Sequence, residues 1–129
     1  MGAPITIHPG ALTLEQLMAV HAHGVRVQIP DASRAVLRAS QQVVQDAADG
    51  DAAVYGVNTG FGKLANQRIS KPQLAELQCN LIRSHCVGVG EPLQPAVMRL
   101  MLALKAASLA RGYSGVREVV VDTLIAVYN

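Results

Sequence analysis

A mainly α fold, with a small two-strand β feature near its start, is what this sequence predicts, and three observations carry the prediction. Apolar residues recur at helical spacing in five segments, most of them opened by a capping residue or proline and several closed by glycine. Strict alternation, the mark of a half-buried strand, is confined to Ile5-Thr6-Ile7 and Val25-Arg26-Val27-Gln28-Ile29. Half of the 129 residues are apolar, only 16% are charged and 3% aromatic, so the chain is long enough for one domain and its core must be aliphatic.

The two alternating segments are expected to pair. Between them Thr13 and Gln16 form a capping box that opens the first helix, with Leu14, Leu17, Met18 and His21 near one face and Gly24 as the stop. His21 and His23 resemble a metal pair only at first sight, because alternate helical positions point apart and no third ligand is near. Solvated histidines at the negative end of the helix dipole are the better reading. Asp31 is expected to cap a second helix, with Val36, Leu37, Ser40, Val43, Val44 and Ala47 returning every turn or two until Gly50.

Ser70 and Gln73 make another capping box, and Pro72 is tolerated in a first turn whose amides are unpaired anyway. Leu74, Leu77, Leu81 and Ile82 then form a buried stripe. The fourth helix, Pro95 to Arg111, is apolar on nearly every side and should lie among other helices. Arg99 and Lys105 interrupt it, and it falls short of the roughly 18 apolar residues a membrane span needs. Gly112 ends it, Ser114 is placed to cap the next helix, and Val116, Val119, Val120, Leu124 and Val127 continue an apolar face. That pattern reaches Asn129 without a stop signal, so the last helices are expected to belong to a larger helical bundle that continues beyond this chain. The organisation is therefore a small α/β start over 1–50, a glycine loop over 51–69, and helices over 70–129.

Several functional classes are disfavoured by composition. A net charge of +2, with Lys and Arg scattered, gives no surface that would track a nucleic-acid backbone. Met1-Gly2-Ala3-Pro4 has neither the basic nor the apolar region of a secretory signal, and a cytoplasmic location is expected. Met1-Gly2 with Thr6 matches a myristoylation pattern, but the match is short and Pro4 opens a strand. Cys79 and Cys86, seven apart, would be separated by about 10 Å of helical rise, beyond disulfide reach. Both are expected to be reduced thiols, Cys79 in the core, with no metal site.

The stretch that points to chemistry is Val54-Tyr-Gly-Val-Asn-Thr-Gly-Phe-Gly62. Glycines at 56, 60 and 62 give freedom that packing does not need, and allow positive φ and close approach of the main chain to a ligand. Tyr55 supplies a phenol able to give or take a proton. An ordinary loop between helices would be written with the same residue types. A phosphate-binding P-loop is excluded by Val57 and Leu64, and Gly60 to Ala65 fits the dinucleotide pattern only without its acidic partner, Ile82 standing at that spacing. A second glycine-bearing break, Arg83-Ser84-His85-Cys86-Val87-Gly88-Val89-Gly90, carries a histidine at a helix end, a place where structural hydrogen-bonded histidines are common.

Three motifs together resemble the aromatic amino-acid ammonia-lyase family over nearly the whole chain. They are Tyr55 through Gly62; Asn80-Leu-Ile-Arg-Ser-His85 with Gly88; and Leu104-Lys105 through Ser108-Leu-Ala-Arg-Gly112 to Ser114-Gly-Val-Arg117. The Ser84-His85 pair is similar to the histidine-selective branch. The resemblance implies elimination of ammonia from L-histidine to give trans-urocanate, the opening step of histidine breakdown. It implies Tyr55 as catalytic base and acid on a mobile loop, His85 beside the substrate imidazole, and Asn58, Thr59 and Gly60 shaping the loop around the substrate. It also implies a homotetramer whose sites combine several subunits. Its electrophile is a methylidene-imidazolone (MIO) ring made from Ala-Ser-Gly, a tripeptide absent from residues 1–129 and expected beyond them.

That absence predicts an inert isolated chain, since the β-hydrogen is very weakly acidic, ammonium leaves poorly, and a phenol of pKa near 10 cannot drive the elimination alone. Uncovered helix faces should also make the piece self-associate. A tyrosine or phenylalanine ammonia-lyase or aminomutase, and a non-catalytic helical oligomerisation fragment, are the alternatives.

Overall fold

In the computed structural model the described residues are 4–22 and 25–129, so the expected stop at Gly24, the ring of His23 and the Met1-Gly2 pattern lie outside them. The element order is β1 (Ile5–Thr6), α1 (Leu14–Ala22), β2 (Val27–Gln28), α2 (Asp31–Asp49), α3 (Lys71–His85), α4 (Pro95–Leu109) and α5 (Glu118–Tyr128), with a 3-10 turn at Gly62–Leu64. The chain divides into two units, one running up to Gln42 and resuming over Pro92–Asn129, the other Val43–Glu91.

The first unit holds the aliphatic core. β1 and β2 pair in parallel, Ile5 with Val27 and Thr6 with Gln28, and the ladder is extended by Ile5 N–H to Arg26 O and Ile7 N–H to Gln28 O, both 2.7 Å. So short a sheet stands because its apolar side is covered: Ile7, Val27 and Ile29 are buried with Val20, Leu37 and Val121. The other edge of β2 is closed by a side chain. Asn129 accepts a hydrogen bond from Val27 N–H at 2.8 Å and donates one to Val27 O at 2.9 Å, as a neighbouring strand would.

The capping box at α1 is formed as the spacing requires, with Thr13 N–H to Gln16 Oε1 at 3.0 Å and Gln16 N–H to Thr13 Oγ1 at 3.2 Å. Its buried residue, however, is Val20, while Leu14 and Met18 are exposed, because α1 is short and packs on α4 along a narrow strip. α4 turns Ala103, Ala106, Ala107 and Ala110 inward, small side chains at helical spacing that let α1 and α5 approach closely. The burial on nearly every side that the sequence predicts for α4 is not found in this chain: Val97, Met101 and Leu104 are exposed. α5 buries Val121, whereas Val119 and Val127 are exposed; Glu118 and Asp122 mark its polar side, but the run Val119-Val120-Val121 does not itself say which valine turns inward.

Helix starts differ in detail from the expected caps. Asp31 is the first helical residue of α2, following Pro30, and Arg117 rather than Ser114 stands at the N-cap of α5. Gly112 does terminate α4, with φ +75°, and a Cβ there would run into Val36 Cγ1 and lie 3.0 Å from Val36 O. Val36 and Val43 are exposed, so the buried positions of α2 are Ser33 and Leu37. Arg34 reaches Asp122 at 3.0 Å and Glu118 at 3.6 Å, and Arg38 reaches Glu118 at 2.6 Å, tying α2 to α5 at the surface. Such exposed pairs fix direction more than they stabilise.

Tyr128 donates its hydroxyl to Val25 O at 3.0 Å, and burial raises the phenol's pKa above its ordinary value, with Arg99 opposing. A raised folded-state pKa means that the phenol's contribution is complete below the unfolded value, near 10, and is lost as pH climbs through the folded one. Stability measured by denaturant between pH 9 and 12 is expected to fall less steeply in Tyr128→Phe than in the parent chain; equal slopes would refute this linkage.

Candidate active site

The second unit, Val43–Glu91, carries every residue on which the sequence reading placed chemistry. α2 ends in a turn closed by Gly50 N–H to Asp46 O at 2.9 Å. Lys71, at the start of α3, lies 2.9 Å from Asp49, and this hydrogen bond, with one from Gln45, holds the Asp49 carboxyl below its ordinary range. Arg68 bonds to Asp51 O and Asp51 Oδ1, both at 3.1 Å, and to Gly50 O. The ends of the glycine loop are thereby held together by charged side chains on its rim.

Inside the loop the organising residue is Asn58, 1% exposed. Its Oδ1 accepts from Val54 N–H at 2.8 Å, and its Nδ2 donates to Ala47 O at 3.0 Å and Ala52 O at 2.9 Å. Its own main chain adds Asn58 N–H to Val54 O and Ile69 N–H to Asn58 O. One amide side chain thus satisfies three backbone groups that no helix or sheet pairs. The family resemblance gave Asn58 a part in shaping the loop; these partners were not legible in the sequence.

The glycines divide their labour. Gly56 and Gly62 have φ of +76° and +59°, the left-handed region, with open space where a Cβ would be. Gly60 has no such φ but is buried: a Cβ there would lie 2.6 Å from Leu64 Cβ and 3.0 Å from Leu64 O. Close approach folds the following residues into the 3-10 turn and allows Gly60 N–H to reach Gln67 O at 3.0 Å, beside an antiparallel bridge between Thr59 and Arg68. The stretch from Leu64 to Ile69, without period in the sequence, is ordered by these local bonds.

On this braced loop Tyr55 is outward, 64% exposed, its ring edge-on to Phe61 with centroids 6.0 Å apart. A phenol carried on a hydrogen-bonded turn and open to solvent can exchange a proton with a bound molecule. α3 leads to the second residue. Ser70 does not close the expected capping box on the backbone: its hydroxyl donates instead to Gln73 Oε1 at 2.7 Å. Leu74, Leu77 and Leu81 are half-buried, Ile82 and Cys79 are exposed, so neither joins a core here as expected. Cys86, also exposed, is a free thiol.

His85 is the last residue of α3 and is exposed. Its Nδ1 lies 2.8 Å from Leu81 O and 2.9 Å from Ser84 Oγ. Among the described residues Tyr55 and His85 share no hydrogen bond; each is presented outward by its own local framework. A cleft of about 230 Å³ lined by Ile69, Gln73, Glu76, Leu77 and Asn80 contains neither. Among the described residues no three His, Cys, Asp or Glu side chains gather where they would hold a metal ion. None of the helices described is long and apolar enough to cross a membrane.

Comparison with known proteins supplies the wider frame. Residues 12–129 match the family model described as aromatic amino acid lyase. The histidine ammonia-lyase of Paracidovorax citrulli (strain AAC00-1) is 50% identical over 125 residues, a match that covers 97% of this chain and 24% of that protein. Among solved structures, tyrosine aminomutase from Streptomyces globisporus superposes with a TM-score of 0.88 at 31% identity, over 98% of this chain and 24% of that one. Histidine ammonia-lyase from Trypanosoma cruzi gives 0.81 at 38% identity, over 95% and 24%. The chain spans about a quarter of the length of these relatives, and it belongs to the aromatic amino acid lyase family.

Proposed function

We propose that the protein to which this chain contributes is a cytoplasmic histidine ammonia-lyase that converts L-histidine to trans-urocanate and ammonia. The observation that carries the reading is the pair of presented groups in the second unit: an outward phenol on a loop braced by Asn58 and Gly60, and an outward imidazole at the end of α3. Tyr55 takes the β-proton of the substrate and returns it to solvent or product. His85 meets the substrate imidazole. Asn58, Thr59 and Gly60 shape the loop that carries Tyr55. The 50% identity over 125 residues with the histidine ammonia-lyase of Paracidovorax citrulli supports the choice of histidine.

An elimination also needs an electrophile, which the family resemblance assigns to methylidene-imidazolone; residues 1–129 contain no Ala-Ser-Gly and cannot form it. When present it supplies the electron sink that makes the ammonium a leaving group. The uncovered strip Val97, Met101 and Leu104 on α4 supports assembly with further protein surface, as a homotetramer would provide.

The test is a chimera in which this chain replaces the matching quarter of the Paracidovorax citrulli enzyme. It is expected to release urocanate from L-histidine, followed by ultraviolet absorbance, while the 129-residue chain alone releases none. A folded chimera that deaminates L-tyrosine and ignores L-histidine would overturn the substrate. The likeness to tyrosine aminomutase makes one further reading concrete, and β-tyrosine among the products would establish it.

A further inference from the structure

Leu81 O, Ser84 Oγ and His85 Nδ1 form a triangle with sides of 2.8, 2.9 and 2.9 Å. A carbonyl oxygen only accepts, so a bare Nδ1 lone pair 2.8 Å from Leu81 O would be two acceptors pressed together. A proton must lie between them. Nδ1 therefore carries the hydrogen and donates it to Leu81 O, with the Ser84 oxygen as a second acceptor on its flank. The Ser84 hydroxyl, its own hydrogen pointing to Leu81 O, has lone pairs free for that role. In the neutral ring this leaves Nε2 as an unprotonated acceptor, on an exposed side chain.

We propose that Ser84 is a positioning residue that, together with the Leu81 carbonyl, fixes His85 in the Nδ1–H tautomer, so that Nε2 accepts a hydrogen bond from the substrate side chain. The consequence for selectivity rests on the function proposed above. A substrate whose side chain ends in an N–H donor, such as an imidazole, satisfies Nε2; a phenyl ring leaves it stripped of water and unpaired, which costs affinity. Without the Ser84 hydroxyl the ring keeps one acceptor, the carbonyl, which water can replace, and the commoner Nε2–H form of free imidazole returns. In that form Nε2–H is a donor, and the substrate ring can meet it only through its unprotonated nitrogen, not through its N–H.

Two measurements test this and fail independently of each other. In the chain labelled with ¹⁵N at histidine, long-range nitrogen–proton correlation spectra at about pH 9, above the ordinary imidazole range, report the tautomer, the His85 signals being identified by their loss in His85→Gln. Nδ1–H is expected to dominate in the parent chain and in Ser84→Thr, and to give way to a mixture in Ser84→Ala. Dominance of Nε2–H in the parent, or an unchanged tautomer in Ser84→Ala, would overturn the proposal whatever the substrate. In the chimera, Ser84→Ala is expected to lower kcat/KM for L-histidine about tenfold, mainly through KM, with recovery in Ser84→Thr. Loss without recovery in the threonine variant would mean that packing, and not the hydroxyl, is what matters there. A chimera that ignores L-histidine altogether would remove the function and leave the tautomer result standing.

Discussion

Tyr55→Phe in the chimera is expected to lower kcat on L-histidine by about 10²–10⁴, with KM nearly unchanged. The substitution removes one oxygen and little else. Tyr55 is 64% exposed and no hydrogen bond to its hydroxyl is among those formed by the described residues, while its ring contact with Phe61 is edge-on and survives in phenylalanine. The loop should therefore keep its shape, and what is lost is a proton acceptor needed only as the β-carbon bond breaks. An interaction made in the transition state and absent from the ground state appears in kcat and kcat/KM together. Steady-state kinetics and the circular dichroism of both proteins decide the matter. A phenylalanine variant that works at the parent rate would remove Tyr55 from the chemistry, and a variant with altered helicity would show that the ring has a structural duty as well.

Elements were legible in this sequence wherever a local rule was sufficient. Thr13 with Gln16 states the start of α1, Gly50 and Gly112 state the ends of α2 and α4, and alternation states both strands, because capping and turn geometry involve residues a few positions apart. Faces were less legible. α5 carries Val119, Val120 and Val121 in succession, so nothing local says that Val121 and not Val119 turns inward; α4 decides that by packing against it. The starts of α3 and α5 show the same limit: Ser70 spends its hydroxyl on the Gln73 side chain, and Ser114 lies before a turn in which Gly115 N–H bonds Ser40 Oγ. At the candidate site, the residue types and the family motifs pointed to Tyr55 and His85. The clamp of Asn58 and the brace of Arg68 could not be read, since their partners are backbone carbonyls whose positions exist only once α2 has ended and the loop has closed.

Asn58→Ala is expected to loosen the whole 51–69 loop, with a large loss of stability in the second unit. The change strips Val54 N–H, Ala47 O and Ala52 O of their partner at once, each at about 1–3 kcal/mol when water cannot fully replace it. Asn58→Asp separates the causes. The carboxylate can still accept from Val54 N–H, but where Nδ2 donated it would face two carbonyl oxygens with a buried negative charge, so it should be no better than alanine. Hydrogen exchange reads the result directly: amides of Gly60 and Ile69, which bond Gln67 O and Asn58 O, should lose protection in both variants, while amides in the middle of α4 should not. Unchanged protection, combined with a raised KM for L-histidine in the chimera, would assign Asn58 to the substrate. Loss of protection, with kcat falling alongside, would mean that its work is to hold the turn from which Tyr55 projects.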